Sequence, residues 1–243
     1  MNRPARPALP LPEAAPLDVP ADLRERLTPL GAALDDAAVA KLARYLGLLL
    51  AANAQMNLTA ITDPAEAWSR HALDALSLVP LIPPSARVID VGSGGGVPAI
   101  PLAIARPDAR FTLVEATQKK AAFLVATAAA LGLANVTVRA ERAEALAEGP
   151  LRGAFDVATA RAVAKLAALV PLTAPFLPRN GTFLFIKGQR ADEELAEAAT
   201  VLARHRVAHV ETRATPTGRV MVLRAEGPTQ RSPHAPKAPP RRR

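Results

Sequence analysis

Residues 88–98 read Val-Ile-Asp-Val-Gly-Ser-Gly-Gly-Gly-Val-Pro, an apolar strand that runs into a glycine-dense turn. Four glycines within five positions let the backbone approach a ligand closely at the carboxyl end of the strand. Pro98 stands where the first turn of a following helix is expected, and its missing N–H costs little there. The stretch predicts the first strand, loop and helix of an open α/β sheet, with a ligand site at the strand end.

The loop does not follow the dinucleotide-binding pattern G-x-G-x-x-G, because Val97 stands where the third glycine is required. A tight turn without a ligand is an alternative explanation for such a cluster. Glu115, at the end of the next predicted strand, favours a ligand. A carboxylate there can accept hydrogen bonds from both hydroxyls of a ribose docked over the loop, each contributing about 1.5–3 kcal/mol. Taken alone, Glu115 would be interpreted as a solvated strand-end acid.

Short β-branched runs alternate with Ala- and Leu-rich segments from this loop onward. The predicted strands are Arg87–Val91, Arg110–Glu115, Val136–Arg139, Phe155–Ala160 and Gly181–Lys187, with helices between them, notably Gln118–Leu131 and Ala162–Phe176. This alternation predicts an α/β fold, a Rossmann-like doubly wound sheet with helices on both faces. Two last strands, Arg206–Thr212 and Arg219–Arg224, flank a turn-rich Thr-Pro-Thr-Gly and are expected to pair as an antiparallel hairpin at the sheet edge. The prediction is thus a seven-stranded, mostly parallel sheet.

The chain divides into four predicted segments. Residues 1–20 and 228–243 are proline-rich and are predicted to be disordered, the second as a basic tail. Residues 21–80 are predicted to form an N-terminal helical segment, and residues 81–227 the ligand-binding domain.

One long helix dominates the N-terminal segment. Val39, Leu42, Leu46 and Leu49 follow the three-and-four spacing of a single buried stripe. Asp35 is predicted to cap this helix, and the Asp-Pro pair at residues 63 and 64 is predicted to start the next one.

Composition excludes several classes of function. The 243 residues include no cysteine, which excludes a disulfide scaffold, a thiolate nucleophile and a cysteine-ligated zinc site, and four scattered histidines predict no metal site. Neither a run of 18 apolar residues nor a signal-peptide pattern is present, so a soluble, cytoplasmic protein without a membrane partner is expected. The formal net charge is +8, but residues 17–227 carry only +2, so a nucleic-acid-binding face on the fold must be a local patch.

The glycine loop from Asp90 onward, followed by an acid at the end of the next strand, resembles the S-adenosylmethionine site of class I methyltransferases. Four motifs narrow the resemblance to the bacterial small-subunit (16S) ribosomal RNA guanine-N7 methyltransferase family, RsmG or GidB. They are Asn-Leu-Thr-Ala-Ile at residues 57–61, Arg-His-x-x-Asp at 70–74, Gly-Val-Pro-x-x-Pro-Leu at 96–102 and Lys-Gly-Gln at 187–189. The resemblance covers about residues 34–223, with departures at Val97, where a larger apolar residue is expected, and at Ala99, where the family usually has glycine.

The resemblance implies a Rossmann-like class I methyltransferase fold, S-adenosylmethionine as methyl donor, no metal, and a monomer that acts on 16S ribosomal RNA or the small ribosomal subunit. The cofactor-binding residues expected from the loop and the resemblance are Gly92, Gly94, Gly96, Val97, Glu115, Ala143, Glu144 and Arg161. Arg161 follows a predicted strand at its carboxyl end, where open α/β sheets bind ligands, and is also a candidate for holding the purine edge. A surface arginine that flanks a helix is the alternative.

Transfer to guanine N7 requires no general base, because that nitrogen has an in-plane lone pair and no proton. Alignment of the donor methyl group with N7 is then the main source of catalysis.

Basic side chains near the strand ends predict an RNA-binding rim, with solvated surface charge as the alternative. They are Lys119, Lys120, Arg139, Arg142, Lys165, Lys187 and Arg190. Aromatic residues are few, so phosphate contacts rather than base stacking should provide most of the affinity for RNA, and that affinity should fall steeply with salt. His71 is expected to be a hydrogen-bonded packing residue.

Two other functions remain open on the residues alone. The acceptor could be a small molecule or a protein, or the chain could be a non-catalytic RNA-binding protein on a methyltransferase scaffold. The intact glycine loop and Glu115 argue against the second. The sequence specifies neither the acceptor nucleotide nor the choice between naked RNA and assembled subunit, and the basic tail is expected to add non-specific RNA affinity.

Overall fold

A computed structural model of the chain describes residues 10–227. Its centre is a seven-stranded sheet in the order β3-β2-β1-β4-β5-β7-β6. The strands are β1 (Arg87–Val91), β2 (Arg110–Val114), β3 (Val136–Arg139), β4 (Val157–Arg161), β5 (Thr182–Lys187), β6 (Val207–Ala214) and β7 (Arg219–Ala225). All neighbours pair in parallel except β7, which is antiparallel to both β5 and β6. The predicted mostly parallel sheet with an antiparallel hairpin at its edge is confirmed.

Helices lie on both faces of the sheet. They are α1 (Leu23–Leu27), α2 (Asp36–Met56), α3 (Pro64–Ala67), α4 (Asp74–Leu76), α5 (Ala99–Ala105), α6 (Gln118–Ala130), α7 (Ala143–Leu146), α8 (Leu166–Thr173), α9 (Ala191–Glu197) and α10 (Ala199–His205). A π-helical stretch, Trp68–Leu73, joins α3 to α4, and short 3-10 turns occupy Thr28–Leu30, Val79–Leu81 and Ala174–Phe176. The helix predicted from Ala162 starts only at Leu166, because Ala162 has a left-handed backbone (φ 54°) that no α-helix accommodates.

Alternation along β5 divides the interior into two layers. Leu184 and Ile186 belong to the hydrophobic core on the side of α2, α5 and α6, whereas Phe183 and Phe185 belong to the core on the side of α8 and α10. Successive side chains of a strand point to opposite faces, so a strand covered on both faces is a continuous apolar run. The helical N-terminal segment packs into the first of these cores and is therefore part of the same folded unit as the sheet.

The helix α2 lies on the side of the sheet that carries α5 and α6. Its stripe of Leu42, Leu46 and Leu49 is fully buried, and the helix packs against α5 and α6. Asp35 caps it by accepting from the Ala38 amide at 2.7 Å, as predicted. By length and composition α2 could cross a membrane, but half of its apolar window (50%) is buried within the protein, as in a core helix.

Residues 10–20 differ from the expectation of disorder. The Leu17 amide donates to Ala43 O at 3.0 Å, and the indole of the buried Trp68 donates to Asp18 O at 2.9 Å. Leu11 and Leu17 pack against the core around α2. The leucines between the prolines therefore supply enough apolar contact to hold the segment against the helix. The predicted disorder of residues 1–9 and the basic tail at 228–243 lie outside the described residues.

Contact between this segment and α2 requires a glycine in the helix. A Cβ at Gly47 would lie 2.1 Å from Ala15 O. In an exposed helix interior, replacing glycine by alanine stabilises by about 1 kcal/mol, whereas a steric overlap of this kind costs about 1–3 kcal/mol. We therefore expect Gly47→Ala to lower the free energy of unfolding in urea.

A shortened chain that begins at residue 20 supplies the control. Without Ala15 the same substitution should stabilise the protein, because only the helix propensity remains. Destabilisation of equal size in both backgrounds would show that residues 10–20 do not pack on α2 in solution.

Candidate functional site

The glycine loop closes the carboxyl end of β1. The Gly92 amide donates to Val114 O at 2.8 Å, which ties the start of the loop to β2. Gly92 and Gly96 have φ angles of 73° and 98°. A Cβ at Gly92 would lie 2.7 Å from Val163 Cγ2, and one at Gly96 would lie 2.6 Å from Ile100 Cγ1. Both positions thus require glycine for backbone conformation and for space.

Tyr45 of α2 holds the loop from behind. The buried phenol donates its proton to Gly95 O at 2.9 Å. Burial raises the pKa of the Tyr45 phenol, so it remains a protonated donor. Leu49, one turn further along α2, lies so close that a Cβ at Gly95 would be 2.6 Å from its Cδ1. The sequence identified Leu49 only as a residue of the apolar stripe, and it gave Tyr45 no role at the loop.

A cleft of about 760 Å³ lies beside the loop, where β1 has β2 on one side and β4 on the other. Ligands of open α/β sheets bind at this switch in strand order. Of the predicted cofactor-binding residues, Gly92, Gly94, Val97, Glu115 and Arg161 line the cleft.

Three predicted cofactor-binding residues are not among those that line the cleft. Gly96 is buried behind the loop against Ile100 and Leu124. Ala143 is buried at the start of α7, and Glu144 beside it is exposed. Gly96 therefore shapes the loop rather than lining the cleft, and the expected contacts of Ala143 and Glu144 with the adenine stay predictions.

Glu115 follows β2 directly and is almost fully buried. Its Oε2 accepts from the Gly94 amide at 2.9 Å, and its Oε1 accepts from the Thr117 amide at 2.7 Å. Each carboxylate oxygen has a second lone pair that can accept from a ligand in the cleft. Glu115 thus braces the loop and faces the site at the same time.

The segment at residues 57–61 forms the opposite wall of the cleft. Asn53 Oδ1, at the end of α2, accepts from the amides of Leu58 and Thr59 at 2.7 and 2.8 Å. Thr59 Oγ1 shares a hydrogen bond of 2.9 Å with His71 Nε2. Burial, followed by the charges of Arg161 and Arg70, lowers the pKa of His71 to about 3. His71 is therefore a neutral hydrogen-bonded wall residue. Asn53, which the sequence did not single out, fixes the backbone of this wall.

Arg161 is the last residue of β4, one position inside the strand rather than after it. Its guanidinium donates to Arg70 O, which links the strand end to the π-helical stretch. Burial lowers the pKa of Arg161, while the nearby carboxylate of Asp74 opposes this. Asp74 in turn accepts from the Thr217 amide at 3.0 Å and from the Thr217 hydroxyl. The hairpin turn between β6 and β7 is thereby attached to the rim of the cleft.

Asp90 places a buried carboxyl group under the loop. The Thr159 hydroxyl donates to its Oδ1 at 2.7 Å, while its Oδ2 is buried and has no hydrogen-bond partner among residues 10–227. Burial raises the pKa of Asp90 to about 7, and the charge of Glu115 acts in the same direction. A buried carboxyl oxygen without a partner costs free energy of folding.

The structure contradicts the prediction that Lys187 contacts RNA. Its ammonium group is buried, donates to Ala164 O at 2.8 Å and pairs with Glu194 at 2.6 Å. Lys187 therefore anchors the loop that follows β4, and its charge is not offered to a phosphate.

The other predicted RNA-binding residues fall into two groups. Arg139, Lys165 and Arg190 are partly exposed or exposed and pair with Glu141, Glu197 and Glu193 at 2.6–2.9 Å. Lys119 donates to a backbone carbonyl at 3.2 Å, Lys120 lines the cleft, and Arg142 precedes α7. The last three form no ion pair within residues 10–227, so they are the stronger candidates, and all six stay predictions.

In the part of the chain that the structure describes, no three His, Asp or Glu side chains are grouped to hold a metal ion.

A family model described as rRNA small subunit methyltransferase G (GidB) matches residues 38–222 of the chain. The chain is 59% identical over 225 residues to the ribosomal RNA small subunit methyltransferase G of Sorangium cellulosum, covering 91% of this chain and 94% of that protein. It is 45% identical to the protein of the same name from Roseiflexus castenholzii, with 73% and 76% covered. The Stenotrophomonas maltophilia protein is 43% identical, with 75% and 83% covered.

Solved structures with the same fold are more distant in sequence. A SAM-dependent methyltransferase from Aquifex aeolicus superposes with a TM-score of 0.53 at 14% identity, covering 67% of this chain and 93% of that one. The ribosomal protein L11 methylase from Lactobacillus delbrueckii gives 0.51 at 18% identity, with 63% and 77% covered. These likenesses establish the Rossmann-like class I fold.

The buried carboxyl group predicts a pH dependence of stability. Because the folded-state pKa of Asp90, about 7, lies above its unfolded value, the folded protein binds more protons between about pH 4 and 7. The contribution of Asp90 to stability is therefore present at low pH and is lost as the pH rises through this window, by up to about 1.4 kcal/mol per pH unit. Asp90→Asn keeps an acceptor for Thr159 and removes the titration.

We expect the free energy of unfolding of Asp90→Asn, measured relative to the unaltered protein, to rise between pH 5 and pH 8. His71 acts with the opposite sign, since its lowered pKa makes stability fall as the pH drops from about 6.5 to 3, but it is present in both proteins and cancels in the difference. A difference that stays constant with pH would rule out titration of Asp90.

Proposed function

Since the chain belongs to the rRNA small subunit methyltransferase G family, we propose that its cleft brings the methyl group of S-adenosylmethionine to N7 of a guanine in 16S ribosomal RNA. The protein is a methyltransferase that depends on S-adenosylmethionine and modifies small-subunit ribosomal RNA. The observation that carries the proposal is the position of the glycine loop at the switch in strand order, braced by Glu115.

The residues of the cleft fit the cofactor. Gly92 brings backbone without a side chain to the cleft and leaves no room for one, because a Cβ there would lie 2.7 Å from Val163 Cγ2. When bound, S-adenosylmethionine supplies a methyl group on a positively charged sulfur. Glu115 is proposed to accept from the ribose hydroxyls, and Arg161 to hold the cofactor or purine edge at the end of β4.

The remaining predicted contacts complete the binding site. The backbone of Gly94 and Val97 is proposed to lie along the cofactor, with Gly96 setting the shape of the turn. Ala143 and Glu144 are proposed to approach the adenine from α7, through the Ala143 amide and the Glu144 carboxylate.

The chain's contribution to catalysis is orientation rather than proton transfer. Guanine N7 carries no proton, and the buried titratable groups of the cleft wall do not suit a base. His71 stays neutral, with a pKa of about 3, and burial raises the pKa of the Tyr45 phenol. Tyr45 instead holds the backbone of the glycine loop, and His71 holds the Thr59 side chain on the opposite wall. Alignment of two substrates alone can be worth effective molarities of about 10⁵–10⁸ M.

The proposed RNA approach is along the rim that carries Lys119, Lys120 and Arg142. Lys120 lines the cleft itself, so a phosphate bound there would lie near the transferred group. Phosphate contacts of this kind make the affinity for RNA decrease with salt.

We propose that the protein acts as a monomer in the cytoplasm, without a membrane partner.

Replacement of N7 by C–H tests the acceptor atom directly. Small-subunit ribosomal RNA transcribed with 7-deazaguanosine in place of guanosine keeps the Watson–Crick edge of every guanine and removes the nucleophile. We expect radiolabelled methyl transfer to ordinary transcript or reconstituted subunit, 7-methylguanosine in the nuclease digest, and no transfer to the deaza transcript.

The alternatives give different results in the same assay. Equal labelling of both transcripts would place the methyl group elsewhere than N7. Cofactor binding without any labelling of RNA or subunit would favour a non-RNA acceptor, and the absence of cofactor binding would favour a non-catalytic RNA-binding protein.

Replacement of Glu115, which is proposed to accept hydrogen bonds from the ribose hydroxyls, should weaken binding of the cofactor but not of RNA. We expect Glu115→Ala to weaken S-adenosylmethionine binding in calorimetry by about tenfold to a hundredfold, because charged hydrogen bonds of about 1.5–3 kcal/mol are lost. RNA binding measured by filter retention should change little.

Glu141→Ala is the matched control. It removes another carboxylate near a strand end, which is exposed, pairs with Arg139 and does not line the cleft. Equal weakening of cofactor and RNA by Glu115→Ala would place the ribose elsewhere.

A further inference from the structure

A second cavity, of about 350 Å³, adjoins the cofactor cleft. The two share Arg70, Arg161, Ala162 and Val163, so they meet at the end of β4. Two sequence motifs contribute to its wall, Arg-His-x-x-Asp through Arg70 and Asp74 and Lys-Gly-Gln through Lys187 and Gly188. The cofactor-binding residues proposed above come from neither motif, and the contacts of Asp74 and Lys187 described so far explain how the wall is held but not what the cavity binds.

The cavity is held open by three tethers between distant parts of the chain. Lys187 at the end of β5 donates to Ala164 O at 2.8 Å and pairs with Glu194 of α9, which also accepts from the Leu166 amide at 3.0 Å. Asp74 holds the Thr217 amide at 3.0 Å. Arg161 donates to Arg70 O. These bonds preorganise the wall before any ligand enters.

The polar groups on the wall suit a base that has both acceptors and donors. The Arg70 guanidinium pairs with Glu66 through Nη1 at 2.8 Å, and its remaining N–H groups can donate to a ring carbonyl such as guanine O6. Within the described residues, Glu194 makes its bonds through Oε2 only, which leaves Oε1 to accept from an N–H group. Guanine presents N1–H and an amino group on that edge, whereas adenine presents an acceptor at N1, so the same wall disfavours adenine.

The arrangement also matches the geometry of the reaction. N7 of guanine lies on the five-membered ring, at the opposite end of the base from N1 and the 2-amino group. Arg161 and Val163 line both cavities, so a guanine bound with its Watson–Crick edge toward Glu194 and its N7 toward these two residues would have N7 where the cavities join.

A shallower groove of about 560 Å³ continues outward from the second cavity. It shares Arg70 and Thr217 with that cavity and is otherwise lined by Ala65, Glu66 and Ser69. The neighbouring nucleotides of a single strand could leave the site along this path, as expected when a base is turned out for chemistry.

We propose that the second cavity is the subsite of the acceptor guanine, with N7 at the junction with the cofactor cleft. The inference rests on the proposed function, because it supplies that reaction with its second substrate. It assigns Arg70 and Glu194 to recognition of the base, and Lys187 and Asp74 to positioning of the walls.

Gly188 provides a way to fill the cavity from within. It lines the cavity, a Cβ added there meets no atom within 4 Å, and its backbone lies outside the left-handed region. The series Gly188→Ala, Gly188→Val and Gly188→Leu should therefore fold normally and fill the space progressively. We expect kcat/KM for ribosomal RNA to fall along the series, by about tenfold or more for leucine. S-adenosylmethionine affinity in calorimetry should stay that of the unaltered protein.

Gly149→Leu is the control, because it makes the same exchange at a glycine that lines neither cavity and whose added Cβ has its nearest neighbour at 3.5 Å. Its kcat/KM should match that of the unaltered protein. Full activity of the leucine variant at position 188, or parallel loss of cofactor affinity along the series, would overturn the subsite. If leucine prevents folding, the alanine and valine variants decide in the same way.

The unaltered protein, assayed in parallel, separates the two proposals. Absence of 7-methylguanosine in its product would contradict the proposed function. Normal 7-methylguanosine formation by the unaltered protein and by all three position-188 variants would contradict only the location of the guanine.

Discussion

The site depends on the close packing of the glycine loop, whose backbone carries almost no side chains, against the elements around it. The loop at residues 92–96 contacts Val163 on one side and Leu49 on the other at distances that leave no room for a Cβ at Gly92 or Gly95. The Tyr45 hydroxyl fixes it from behind, and Glu115 fixes it from the next strand. A loop held from three directions needs little rearrangement when a ligand binds, which lowers the entropic cost of binding.

Because of these constraints, the N-terminal helices are a functional part of the fold. Tyr45, Asn53 and Thr59 all come from before the sheet, yet they set the loop and the opposite wall of the cleft. The core that buries α2 is also the core on one face of the sheet, so packing of α2 and geometry of the site are coupled. A change that shifts α2 would therefore move the wall of the cofactor cleft together with the core.

The electrostatics of the cleft are governed by burial. His71 and Tyr45 remain neutral at physiological pH because the charged form of each would lose its hydration. The only buried cation that the sequence had placed on an RNA-binding rim, Lys187, is neutralised by Glu194 and serves the loop after β4. The positive charge of the described fold that remains free to meet RNA is consequently local, as the small net charge of residues 17–227 requires.

The sequence by itself determined the alternation of strands and helices and the family. It also showed that the glycine loop is followed by an acid, Glu115, at the end of the next strand. These features can be found in the sequence because hydrophobic periodicity and glycine requirements are local properties. It also placed Gly92, Glu115 and Arg161 correctly at strand ends, since parallel strands share one edge. Only the tertiary structure decided which charges are paired, that Leu11 and Leu17 fold onto α2, and that the motifs around Arg70 and Gly188 enclose one cavity. Those outcomes depend on contacts between residues as far apart as Asp74 and Thr217, and the pattern of neighbouring residues carries no information about such contacts.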